Sequence, residues 1–254
     1  MKIYVVALPV GSVAKTTLSR HVLGAYAPSP SILSVESVSP SGDEVEILNR
    51  DDERGTLILK ARLFAGDAKH TVIIDAGVTD SEMAAQILTE LVEVGQLIAD
   101  ITVVMPYLAG RKCASGLERF VAKLPTAIRR VLVYSIVQGG PTGFAKLREN
   151  DAEHKVAEFC AKAGIEICPV PMYYSALLDQ DTPYYSLLQR AGATGLGGIA
   201  NIDLDALRAK AVKARGTPDA EAELGLALDG IGFARRAEAN LREVYEYLSG
   251  VGQS

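Results

Sequence analysis

Residues 3–17 read Ile3-Tyr-Val-Val-Ala-Leu-Pro9-Val10-Gly11-Ser12-Val13-Ala14-Lys15-Thr16-Thr17, an apolar strand, a loop of small residues and a Lys-Thr-Thr that opens a helix. A strand passing through a tight loop straight into a helix commits the N-terminus to a β-loop-α unit. In such a loop the backbone N–H groups face inward and cradle phosphate oxygens. Lys15 would reach the outer phosphates and the Thr16 hydroxyl would ligate magnesium. A helix starting at Thr16 points the positive end of its dipole at the same anion. The standard spacing G-x-x-x-x-G-K-[ST] is not met, because Pro9 and Ala14 stand at the glycine positions. The deviant form K-G-G-x-G-K-[ST]-T fits better. It keeps Gly11, Lys15, Thr16 and Thr17, and has Val10 for the leading Lys and Ser12 and Ala14 for two glycines. Glycine serves where the backbone needs φ > 0 or close approach. Ser and Ala are the smallest substitutes, so the cradle is expected to persist with some strain. Gly11, Ser12, Val13, Ala14, Lys15, Thr16 and Thr17 are therefore the candidate phosphate contacts. An ordinary strand–turn–helix with an incidental Lys-Thr is the alternative.

Downstream, runs rich in Val and Ile alternate with helix-length segments, the βαβ rhythm of a parallel sheet covered on both faces. Strands are expected near 2–8, 31–36, 71–75, 100–105, 130–135 and 165–170, and helices near 16–25, 80–94, 112–123, 143–163, 203–215 and 221–248. Asp80 or Ser81 can cap the helix at 80–94, whose stripe is Met83, Ile87, Leu88, Leu91 and Val94. The stretch 43–65 suits either state: Leu57, Ala61 and Phe64 fit a helix, whereas Leu57-Ile58-Leu59 fits a strand. A chain of 254 residues accommodates one such domain. The expected layout is a doubly wound, mostly parallel α/β sheet with flanking helices, of the P-loop NTPase type. A nucleotide-binding core spans 1–200, and C-terminal helices over 201–254 pack on it as part of a single domain.

Ligands of open parallel sheets sit at the carboxyl ends of the strands. The run Thr71-Val-Ile-Ile-Asp75-Ala-Gly77 ends in a carboxylate there, where Asp75 can hold a magnesium-bound water; capping the turn into the next helix is its other role. Glu36 and the serines after the second strand can orient water or magnesium, or form a solvated loop. Ile167-Cys-Pro169-Val-Pro171-Met-Tyr173-Tyr174 closes a strand in a rigid aromatic loop, suited to wall a purine by stacking or to make a surface turn.

In this order, the blocks Gly11-x-Val13-x-Lys15-Thr16-Thr17, Val35-Glu36-Ser37 and Val72-Ile-Ile-Asp75-x-Gly77 resemble the ParA/MinD group of deviant-Walker ATPases, which move plasmids, chromosomes and protein assemblies. More narrowly, the chain resembles the StbB-like (ParA-like) proteins of conjugative and mobilisable plasmids. The similarity spans about 1–175. It implies ATP or ADP with magnesium as ligands, Lys15, Asp75 and Glu36 as the catalytic set, Thr16 and Asp75 at the metal, and Pro171 in the loop that walls adenine. It also implies a nucleotide-dependent homodimer and a partner that is a plasmid-encoded adaptor or weakly, non-specifically bound DNA. The family's leading Lys, which contacts the partner subunit's nucleotide, is Val10 here. Its water-positioning Asp is Glu36 or Ser37, and its adenine-reading Asn is replaced at Ser135. Those departures imply slow hydrolysis, and leave a scaffold without turnover, or a ligase of the dethiobiotin-synthetase type, as the other readings.

Composition narrows the partners. A net charge of −5 argues against wholesale coating of nucleic acid but leaves room for a local patch; Arg208, Lys210, Lys213 and Arg215 are the candidate, and a solvated helix face balanced by Asp203, Asp205, Glu221 and Glu223 is the alternative. Cys113, Cys160 and Cys168 lack C-x-x-C spacing, which disfavours a disulfide framework or a zinc site and fits a reducing cytoplasm. No run reaches the ~18 apolar residues of a membrane span, and the mixed-to-acidic tail 241–250 does not suit a membrane-surface helix.

Overall fold

The computed structural model describes residues 2–11, 14–35, 46–48, 57–58, 60–61, 71–93, 101–109, 111–137, 150–174 and 203–250. Strands β1 (Lys2–Val6), β2 (Pro30–Val35), β3 (Glu46–Leu48), β4 (Thr71–Ala76), β5 (Ile101–Tyr107), β6 (Arg129–Val137) and β7 (Glu166–Ile167) lie in the order β3-β2-β4-β1-β5-β6-β7. A further strand, β8 (Met172–Tyr174), pairs with the last residues of β6. Every described pairing is parallel. Successive strands are therefore joined by crossovers, and the order reverses direction at β1.

The two faces of β1 explain the layering. Alternate residues of a strand point to opposite sides. Ile3 and Val5 join a core with α2 (Ser81–Glu93), α3 (Arg111–Val121) and α4 (Asp151–Ala163). Tyr4 and Val6 join a second core with the helix over 17–26 (α1) and the long α6 (Pro218–Ser249). α1 follows the first loop and is wound as a π-helix over Thr17–Leu23 before an α turn at Gly24–Tyr26. α6 presents Ile231, Ala237, Leu241, Val244 and Leu248 to the sheet, a stripe at helical spacing. α5 (Leu204–Ala214) precedes it, and of its described side chains Leu207 alone is half-buried while the others are exposed.

Local chemistry sets the ends of these elements. The Asn150 side chain accepts from Ala152 N at 3.0 Å and starts α4. Gly164, at φ 65°, ends it in the left-handed turn that an L side chain resists. The helix expected over 143–163 is therefore described from Asp151; residues 143–149 lie outside the described residues. The strand expected at 165–170 is split. Pro169 and Pro171 have no N–H to give a ladder, so the chain leaves the sheet after Cys168, whose N–H donates to the Leu132 carbonyl at 2.9 Å, and rejoins it at Met172. Within 43–65, 46–48 is strand and positions 57, 58, 60 and 61 are helical. Among the described residues, no helix is long and apolar enough to cross a membrane.

Candidate functional site

The strand register places the first loop. Asp75 of β4 pairs with Val6, the last residue of β1, and Val6 pairs with Val104 of β5. The loop beginning at Ala7 therefore rises beside Asp75 at the carboxyl edge of the sheet, at the reversal of strand order where such sheets bind ligands.

Lys15 folds back over that loop. Its Nζ donates to the carbonyl oxygens of Leu8 at 3.0 Å and Val10 at 2.9 Å. The ammonium is thus held inside the curve of the loop by two neutral acceptors, which an anion can displace with an electrostatic gain. Ala14 sits at φ 64°. A non-glycine residue in the left-handed region is strained by about 1–2 kcal/mol. This is one of the positions where the deviant pattern has glycine, so the backbone turn persists although the residue that makes it easy is absent. Gly11 is exposed, Thr16 is half-buried and Thr17 is buried. Ser12, Val13 and Glu36 lie outside the described residues.

Asp75 is 4 % exposed. Burial pushes its carboxyl above the ordinary range, opposed by the Ser19 hydroxyl and by the charges of Lys15 and Arg20. Ser19 Oγ lies 2.5 Å from Asp75 Oδ2 and 3.2 Å from the Thr16 carbonyl. Sequence reasoning missed Ser19. Its signal was a polar residue four positions after Lys15, one turn on, on a buried helix face. The π winding involves the same residue: the N–H of Gly24 bonds to the Ser19 carbonyl, five residues back. Such π turns recur at functional sites.

At Val10, where the deviant pattern has lysine, the side chain turns to its own chain. A Cβ built on Gly116 of α3 would lie 2.5 Å from Val10 Cγ2, so Val10 packs directly on the bare backbone of that glycine. The position is tied into the core of its own chain.

Pro171 is buried, and its neighbour Met172 pairs with Ser135 at the carboxyl end of β6. It is separated from β1 by three strand spacings, roughly 14 Å. The structure thus brings Lys15, Thr16 and Asp75 into one group with Ser19 and places Pro171 at a second position along the same edge. The three cysteines are free and buried, each thiol pushed up to about 11 chiefly by burial. His21 is buried on α1 and His154 is exposed on α4.

The donor set suits a magnesium-bound polyphosphate. Magnesium takes one or two protein oxygens and fills its octahedron with water and phosphate. Thr16 would offer a hydroxyl and Asp75 a carboxylate, while Lys15 faces the loop that would hold the phosphates.

No family model and no curated protein matches the chain. Solved structures do resemble it over nearly all of its length. The ParA of pNOB8 is 10% identical, with 94% of this chain and 98% of that one covered and a TM-score of 0.46. Apo McdA of Cyanothece is 15% identical, with 91% and 100% covered and a TM-score of 0.46. The chain is similar to ParA and McdA. A second Cyanothece McdA structure, a variant solved as an ATP complex, is 17% identical, with 91% and 96% covered and a TM-score of 0.43. At these identities and scores, the likeness to ParA and McdA assigns no residue a role.

Proposed function

We propose that the chain is a ParA-like, magnesium-dependent ATP-binding protein with slow turnover, serving plasmid stability, partition or conjugative transfer in the cytoplasm. The observation that carries this reading is the Lys15 ammonium seated on the carbonyls of its own loop, beside a buried Asp75 at the sheet's carboxyl edge. Phosphoryl transfer needs positioning and charge neutralisation rather than a covalent nucleophile. Lys15 supplies a cation to the outer phosphates, the loop N–H groups and the α1 dipole add positive potential, and Thr16 and Asp75 hold magnesium. Bound magnesium would neutralise charge that develops on the transferred phosphoryl group. Pro171 belongs to the base end of the site, and Glu36 to the water end.

Slow turnover follows from Val10. Preorganised charge is the largest catalytic term in most enzymes, and Val10, wedged on Gly116, offers none. The same observation favours a second reading, a nucleotide-binding scaffold that does not hydrolyse ATP. Equilibrium binding of ATP and ADP with magnesium, paired with a phosphate-release assay, tests both. Binding with release well below ~1 per second supports the slow ATPase. Binding without release supports the scaffold, and no binding overturns both. A partner that is DNA or a plasmid-encoded adaptor, and a nucleotide-dependent homodimer, belong to the same reading.

A further inference from the structure

The segment carrying Pro171 has a particular need. Between Cys168 and Met172 the chain leaves the sheet, and its two prolines cannot donate to any neighbour. What fixes its far end is a side chain from α6. Asn240 Nδ2 donates to the Pro171 carbonyl at 2.8 Å, and Asn240 Oδ1 accepts from Tyr173 N at 2.8 Å. One amide thereby satisfies an acceptor and a donor two residues apart, as the edge of a neighbouring strand would. Asn240 is 8 % exposed; its bond to Pro171 is buried and that from Tyr173 partly so, and a bond left unmade there is costly.

The same stretch of α6 also grips α1. Tyr26 Oη donates to the Glu238 carbonyl at 3.2 Å. The Tyr26 and Tyr245 rings lie 6.0 Å apart, and the Arg242 guanidinium sits 5.4 Å over the Tyr26 ring. The helix that leaves the phosphate loop and the loop that carries Pro171 are thus braced against one rigid element.

We infer that Asn240 is a positioning residue for the nucleotide base: its amide sets the Pro171 loop at the distance from the phosphate loop that a purine nucleotide requires. This rests on the proposed nucleotide site and concerns its base end alone. The two bonds of Asn240 go to Pro171 and Tyr173, at the base end, so its removal acts on base recognition and spares the triphosphate.

The test compares two probes on the full chain, ATP with magnesium and inorganic tripolyphosphate with magnesium, by calorimetric titration. Asn240→Ala, and the isosteric Asn240→Asp, which places a carboxylate oxygen against the Pro171 carbonyl, are the variants. Asn240→Ala loses both hydrogen bonds, and Asn240→Asp keeps the acceptor for Tyr173 N but sets an oxygen against the Pro171 carbonyl; either is expected to weaken ATP about tenfold and to leave tripolyphosphate within about twofold. Lys15→Ala should weaken both probes. Equal losses for both probes in the Asn240 variants would make Asn240 a structural residue and overturn the inference, as would unchanged ATP binding. If Asn240→Ala fails to fold, Asn240→Asp is read in the same way. A wild-type chain that binds the two probes equally lacks a base contact, which overturns the inference while the phosphate loop stands. A wild-type chain that binds neither overturns both.

Discussion

The chain carries cations in two settings, and the fold treats them differently. Lys15 is half-buried, bonded to two backbone carbonyls and set near a buried carboxylate. Arg208, Lys210, Lys213 and Arg215, on and just after α5, are exposed, and Arg208 pairs with Asp205 at 3.0 Å with both side chains about four-fifths in solvent. The first arrangement costs free energy. It places polar groups in a low dielectric, holds Ala14 in a left-handed turn and pushes Asp75 toward its neutral form. The second costs almost nothing, since an exposed ion pair contributes about 0–1 kcal/mol and is screened by salt. Strain and desolvation of this kind persist where the surrounding structure over-determines them, and they gather at functional sites. The difference separates a preorganised site from a solvated surface that acts only through its net field.

The largest expected effect is at Lys15. Removing the ammonium would leave the proposed phosphate site without its cation, and the loop from Leu8 to Ala14 holds no Lys or Arg. Lys15→Ala should weaken ATP binding by at least ~2 kcal/mol, the scale of a lost charge-assisted contact. Unchanged affinity in a titration would erase the contrast between the two cation sets.

Asp75 comes next, with two effects of opposite sign. Its pKa is raised in the folded chain, first by burial, so the native state holds a proton that the unfolded chain has released. Stability of the ligand-free protein should therefore fall as pH rises from the ordinary carboxylate pKa through that of the folded Asp75. Asp75→Asn should flatten this slope in urea melts taken across acid pH, and raise the unfolding temperature at neutral pH. It should also remove the magnesium dependence of ATP binding. A variant less stable than wild type at pH 7, with magnesium dependence intact, would show that Asp75 caps a turn and holds no metal.

A smaller effect is expected at Ala14. Glycine there removes about 1–2 kcal/mol of left-handed strain and costs about 0.5–1 kcal/mol of chain entropy. Ala14→Gly should leave a net gain of roughly 0.5–1 kcal/mol in thermal unfolding, with ATP binding retained. A loss of stability would mean that the methyl group, buried in the second core, contributes more packing than its backbone costs.

How far the sequence could be read depended on whether a feature was local. The runs at 2–8, 71–75, 100–105 and 130–135 announce β1, β4, β5 and β6 because contiguous Val and Ile leave little alternative to a buried parallel strand. Once the sheet is parallel, the loop after β1 and the end of β4 both lie at its carboxyl edge, so that Lys15 and Asp75 share this edge was legible. Pro169 and Pro171 were legible as a rigid loop closing the strand, but a proline pair does not say that the chain rejoins the sheet at Met172. The Ser19–Asp75 and Asn240–Pro171 bonds join residues 56 and 69 positions apart. No spacing rule reaches that far, and both depend on which faces α1 and α6 turn to the sheet. The packing of Val10 on Gly116 was hidden for the same reason.

The smallest expected effect on the fold is at the exposed cations, and it tests the other half of the comparison. Replacing Arg208, Lys210, Lys213 and Arg215 with Ala touches no buried group, so stability should move by less than about 0.5 kcal/mol. Binding is where these residues can matter. If they meet DNA phosphates, each contact releases a counterion, and affinity must fall steeply with salt and ignore sequence. The fourfold variant should then flatten the salt slope in a DNA titration with and without ATP, while ATP affinity stays at the wild-type value. Asp203, Asp205, Glu221 and Glu223 lie near these cations in sequence and blunt their field, so the expected binding is weak and visible only at low salt. Wild-type protein that shows no DNA binding at low salt would reject the patch and leave a protein adaptor as the partner, because a surface without preorganised contacts gains affinity from its field alone.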